Sequence, residues 1–126
     1  RDRYRFGLAQ YDYLEEGLAT FNETEVDNII NVLHEPAIKL LAVHHALTNT
    51  FRGTYKKMLR YTNQETAFKY TMRAKRGTYK NQGAYTKDIV YFEGTIIVLK
   101  HFAKSGFTKR NFKKIMYAKI NHRMIE

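Results

Sequence analysis

An all-α fold is predicted by three features of the chain. Apolar residues recur at three- to five-residue steps along most of its length, no useful run alternates apolar with polar residues, and helix start and stop signals fall in register with the apolar stripes. The first stripe is Leu14, Leu18, Phe21 and Val26, with Glu16, Thr20 and Glu23 on another face of the same helix. Pro36, the only proline, is expected to open a second helix at its first turn, carrying Ile38, Leu41, Ala42 and His45. Residues Thr50 to Tyr61 predict a short third helix. Thr62-Asn63-Gln64-Glu65 fits a capping box, with Thr62 and Glu65 satisfying the first N–H groups of a helix that runs to about Lys75 and stops at Arg76-Gly77. Thr78 to Tyr85 reads as an irregular loop. Thr86 and Asp88 open a long helix to about Lys104, Gly106 stops it, and Thr108 starts an amphipathic helix through Phe112, Ile115 and Met116. No element is assigned to residues 117–126, and no internal repeat or low-complexity tract is visible.

The chain has 126 residues, 44% of them hydrophobic, which suits residues 1–126 as a single helical domain or subdomain with a real core. It begins at Arg1 and runs at once into Tyr4, Phe6 and Leu8, so it reads as a piece of a longer protein. It contains no cysteine, which excludes disulfides and thiolate metal sites and points to a reducing, cytoplasmic setting. Apolar runs such as Ile96 to Leu99 are far too short to span a bilayer. The net charge of +10 is unevenly spread: residues 1–35 hold eight acids and three bases, whereas residues 36–126 hold four acids and nineteen bases. A basic remainder of that size predicts an anionic partner, and an acidic protein tail, an assembly surface and nucleic acid all fit. The tyrosines are scattered singly and build no base-stacking motif.

Glu15-Glu16-Gly17 sets paired carboxylates and a glycine among apolar residues, and a buried carboxylate there must find a cation, a metal or several donors. On the residues alone, Glu16 is a solvated helix carboxylate or one half of a salt bridge. Three tracts change that reading: Glu15-Glu16-Gly17-Leu18-Ala19-Thr20-Phe21-Asn22-Glu23, Arg73-Ala74-Lys75-Arg76-Gly77, and Gly83-Ala84-Tyr85-Thr86-Lys87-Asp88-Ile89-Val90-Tyr91-Phe92-Glu93-Gly94. In content, order and spacing the chain resembles the QEGLA-motif zinc peptidases, which include bacterial flavohaemoglobin-expression-modulating proteins and the animal microtubule-associated tyrosine carboxypeptidases. Glu15 stands where that family usually has Gln.

The resemblance implies the helical C-terminal part of a gluzincin-like metallopeptidase domain. In such a protein an HExxxH helix gives two histidine ligands and a general-base glutamate, and the glutamate of the QEGLA tract completes the zinc site. Carried over, the metal ligand is Glu16; Glu15 beside it and Glu23 further along the same face are the candidates for orienting a ligand, Glu23 reading equally as a surface acid. Three protein ligands leave a fourth position for water. No HExxxH occurs here: His34-Glu35 has Lys39 in the second histidine's place, and Pro36 is expected to interrupt the helix. His44 and His45 are adjacent and point in different directions. No catalytic residue is therefore assigned within the chain, and the missing helix is expected upstream.

A carboxypeptidase must also grip a terminal carboxylate, and Arg73, Arg76, Lys87 and Tyr91 are the candidates, the arginines because guanidinium binds carboxylate bidentately. Lys87, Tyr91 and Gly94 share a helical register in which Gly94 leaves room for a ligand. Arg76-Gly77 reads equally as an ordinary helix C-terminus with its favourable cation. Two functions follow: a zinc metallocarboxypeptidase removing a C-terminal residue from an acidic protein tail, or a non-catalytic homologue that uses its basic surface to dock on RNA, an assembly or an acidic protein.

Overall fold

The computed structural model describes residues 11–23 and 29–116. Among them the chain forms six α-helices and a 3₁₀ turn, with no strand: α1 (Tyr11–Glu23), α2 (Ile29–Thr48), α3 (Phe51–Met58), α4 (Gln64–Ala74), the 3₁₀ turn Thr86–Asp88, α5 (Ile89–Ser105) and α6 (Lys109–Met116). The all-α prediction holds. Val26 and residues 117–126 lie outside the described residues. No described helix is long and apolar enough to cross a membrane.

The chain divides into two compact units, one of residues 1–32 and 90–126 and the other of residues 33–89. In the first, Leu14, Leu18 and Phe21 of α1 bury with Val32, Val98, Phe102 and Ile115, so the predicted stripe of α1 is its core face. Rings extend this core, with Phe21 and Phe102 at 5.7 Å and Phe102 and Phe112 stacked at 6.0 Å. In the second unit Ile38, Ala42, Val43 and Ala46 of α2 pack with Met58 of α3 and Ala67, Tyr70 and Ala74 of α4.

Two boundaries differ from expectation. Pro36 does not open a helix: α2 runs through it, and Pro36 is fully buried. An interior proline costs roughly 3 kcal/mol, and here burial on both sides of it, at Val32 and Ile38, outweighs that local cost. The cap of α4 is Asn63 rather than Thr62, its side chain accepting from the Thr66 N–H at 2.8 Å. The start of α3 follows the predicted pattern, capped by Thr50, and Thr108 caps α6 by accepting from the Asn111 N–H at 3.2 Å.

Candidate functional site

The end of α4 turns the second tract into a knot of polar contacts. Lys75 follows the last helical residue, and its side chain turns inward and is fully buried. Its Nζ donates to the carbonyls of Asn81 at 2.5 Å, Gly83 at 2.8 Å and Asn49 at 2.9 Å, with Ala46 at 3.4 Å. An ammonium has three protons, so three close acceptors use them all. Burial pushes this ammonium below the ordinary lysine value. The carbonyls of Ala46 and Asn49 come from the C-terminal end of α2, where a cation is electrostatically favoured. The loop is fastened further by Gly83 N–H bonds to Ala46 and Leu47, by Tyr85 N–H to the Ala74 carbonyl at 2.8 Å, and by the Thr78 hydroxyl donating to Gly83 at 2.9 Å. Gly77, with φ at +82°, makes the left-handed turn that sends the chain back toward α2.

Arg73, partly buried, is turned toward Asp88. Its Nε and Nη2 donate to the two carboxylate oxygens of Asp88 at 2.9 and 2.8 Å, and the Asp88 side chain is only 4% exposed. This bidentate pair fixes the 3₁₀ turn that precedes α5. Of the cations assigned to a terminal carboxylate, Arg73 is thus engaged with Asp88, while Arg76 and Lys87 are exposed. Arg76 sits over the Tyr85 ring at 5.3 Å from its centroid. Tyr91 is partly buried in the first turn of α5.

In the other unit the first and third tracts meet glycine to glycine. A Cβ built on Gly94 would overlap the Tyr13 carbonyl and lie 2.9 Å from the Gly17 nitrogen, and one built on Gly17 would overlap the Gly94 backbone. The space expected for a ligand at Gly94 is therefore filled by the backbone of α1. Helices cross this closely only where neither carries a side chain. Glu16 sits immediately before the joint, partly buried, with no hydrogen bond or ion pair to its carboxylate among the described residues. Its own carbonyl accepts from the Thr20 hydroxyl at 2.9 Å. Glu15 is exposed, and the Glu23 side chain lies outside the described residues.

Among the described residues no group of three His, Asp or Glu side chains is placed to hold a metal. Glu35 of the His34-Glu35 pair accepts from the Tyr70 hydroxyl at 2.5 Å and pairs with Lys39 at 3.1 Å. The Tyr70 bond holds the Glu35 carboxyl below its usual range, and burial, followed by Glu35, pushes the Tyr70 phenol well above its own.

The profile of the microtubule-associated tyrosine carboxypeptidases matches residues 4–125. The chain belongs to that family. It is similar to microtubule-associated tyrosine carboxypeptidase 1 of Homo sapiens, 28% identical over 124 residues that cover 95% of this chain and 26% of the human protein. The Mus musculus protein of the same name is 31% identical over 102 residues, covering 79% of this chain and 22% of that protein. The chain thus spans about a quarter of the length of these curated carboxypeptidases. No solved structure matches it. Membership gives the tracts a common frame, and the structure adds that each contributes a joint of the scaffold. Sequence reasoning missed Lys75, whose one signal was a lysine at a helix end followed by an irregular loop.

Proposed function

We propose that this chain is part of a zinc-dependent carboxypeptidase that removes a C-terminal residue from a protein tail, with Glu16 as one metal ligand. The observation that carries the reading is the Glu16 carboxylate, half-sheltered and free of any cation among the described residues, on a helix whose next residue is locked against Gly94. A carboxylate held this way suits a metal that brings its own charge. The histidine ligands would come from outside the described residues, as the family resemblance implies. Zinc supplies Lewis-acid polarisation of the scissile carbonyl when bound.

The chain's own residues position and receive the substrate. The Gly17–Gly94 joint fixes the register of Glu16, and the Arg73–Asp88 pair fixes the turn that presents Lys87. Exposed Arg76 and Lys87 meet carboxylates of the tail, and Tyr91 lies one helical turn beyond Lys87. The name of the relatives makes a C-terminal tyrosine the first residue to test, on a tail from a microtubule. The test is elemental analysis of the full-length protein beside a Glu16→Ala variant with an unchanged melting temperature. About one zinc per chain, lost in the variant together with release of C-terminal tyrosine from a tail peptide, is the expected result. A zinc-free protein, or full zinc in Glu16→Ala, overturns the assignment.

A further inference from the structure

The unit of residues 33–89 carries a ring cluster at its surface that the candidate site does not use; Tyr55 roots it on the core, and Phe68 and Tyr79 are its exposed rings. Phe51, at the start of α3, is its hub, packing edge-on against Phe68 of α4 at 5.7 Å and tilted against Tyr79 of the following loop at 6.4 Å. Tyr55, one turn along α3, meets Phe68 at 6.3 Å. The Phe51 N–H donates to the Tyr79 carbonyl at 3.1 Å, so the loop is tied to the helix at this point. Phe68 is nevertheless 52% exposed and Tyr79 46%. Grouped exposed rings on an ordered surface mark an interaction site more often than single ones do.

Charge says what the partner carries. Arg52, Lys56 and Lys80 are the chain neighbours of these rings, all exposed and with no acidic partner among the described residues. The unit holds eleven bases and three acids. Two of the acids are committed, Glu35 to Tyr70 and Lys39 and Asp88 to Arg73, and Glu65 alone remains in the first turn of α4. The rings stand at 69°, 81° and 41° to one another, so no two of them make a parallel platform for stacked bases. The exposed parts of Phe68 and Tyr79 suit an apolar side chain.

We propose that the Phe51–Phe68–Tyr79 surface, flanked by Arg52, Lys56 and Lys80, is a docking site for an acidic polypeptide segment that carries an apolar side chain. This goes beyond the carboxypeptidase reading and does not depend on it, because binding is read in the absence of turnover. The experiment measures fluorescence anisotropy of labelled peptides with the full-length protein carrying Glu16→Ala. The probes are a short poly-glutamate peptide, the same peptide with one central phenylalanine, and a uridine oligonucleotide. The phenylalanine peptide binds roughly three- to tenfold tighter than poly-glutamate. Phe68→Ser with Tyr79→Ser erases that difference and leaves poly-glutamate binding unchanged, while Arg52→Glu with Lys56→Glu weakens both peptides and their salt dependence. Equal affinity for the two peptides, or affinities that ignore both double variants, overturns the proposal. Tighter binding of the oligonucleotide overturns it in favour of nucleic acid. Should the serine variant melt early, the charge-reversal variant decides alone.

Discussion

In the unit that holds α1, α5 and α6, two helices meet where each has a glycine, and the contact is backbone on backbone between Gly17 and Gly94. In the unit that holds α3 and α4, an irregular loop is fixed by two cations, Lys75 on four carbonyls and Arg73 on both oxygens of Asp88. The first joint works by shape. It has no directionality beyond contact, ignores pH and salt, and tolerates no added atom. The second works by donors and acceptors, so it depends on single atoms, on protonation and on which groups are left unpaired when one is removed. Glu16 depends on the first kind of joint and Lys87 on the second, so the two residues should be lost in different ways.

The largest effect is expected from Gly94→Ala. Its methyl would overlap the Tyr13 carbonyl, and backbone on both sides cannot yield as a flexible side chain would. A loss of roughly 3 kcal/mol or more in urea unfolding is expected, whereas alanine at Gly77, which meets nothing within 4 Å, would cost only the strain of its φ of +82°. If Gly94→Ala were neutral, the shape joint would not exist as described. Lys75→Met comes next, keeping the bulk but leaving carbonyls of α2 and the loop without a donor, at about 2–3 kcal/mol. Hydrogen exchange should then rise at Thr78, Asn81 and Gly83 and stay unchanged around Gly17. Lys75→Arg should not rescue it, because a planar guanidinium does not fit three carbonyls converging on one nitrogen.

Much of the shape joint's surroundings was legible in the sequence, and little of the polar joint. Leu14, Leu18 and Phe21 follow a period that only burial explains, and they lie in the core. Family membership was legible from three tracts in order. That Gly94 faces another glycine was not, since a missing side chain looks the same whether ligand or backbone fills the space. Lys75 was hidden for a related reason: a lysine at a helix end complements the dipole whether its ammonium points out to water or in, and only the path of residues 81–83 decides. Thr62 and Asn63 are both good caps, and the period of the stripe does not separate adjacent candidates. Pro36 misled because a local penalty was weighed without the burial that offsets it.

A smaller effect should come from the Arg73–Asp88 pair, which separates the two cations of the polar joint. A double-mutant cycle with Arg73→Ala and Asp88→Ala should give a coupling of about 1–2 kcal/mol, since Asp88 is buried but the Arg73 side chain is 36% exposed. Asp88→Ala alone should be milder than Arg73→Ala, because the second leaves a buried carboxylate unpaired. A cycle that closes to zero would mean that Lys75 alone fixes the loop.

The smallest expected effect is on pH dependence, and it should appear in the polar unit only. His45 of α2 is stacked on Tyr61 at 5.9 Å, with its Nε2 buried and without a hydrogen-bond partner. Burial, then His44, Lys57 and Arg60, hold its value below that of an ordinary histidine. The unfolded chain therefore binds more protons at this residue than the folded one, so stability is unaffected above about 6.5 and falls as pH drops below it. Glu35, also held low, adds a second loss only further down, as pH falls below the ordinary carboxyl value of 4.5 and through its own. Unfolding free energies measured across both windows should lose the first slope in His45→Asn and the second in Glu35→Gln. If His45→Asn keeps the first slope, His45 is not the source of the pH response. That result would remove a titrating group on which the pH contrast between the two joints rests.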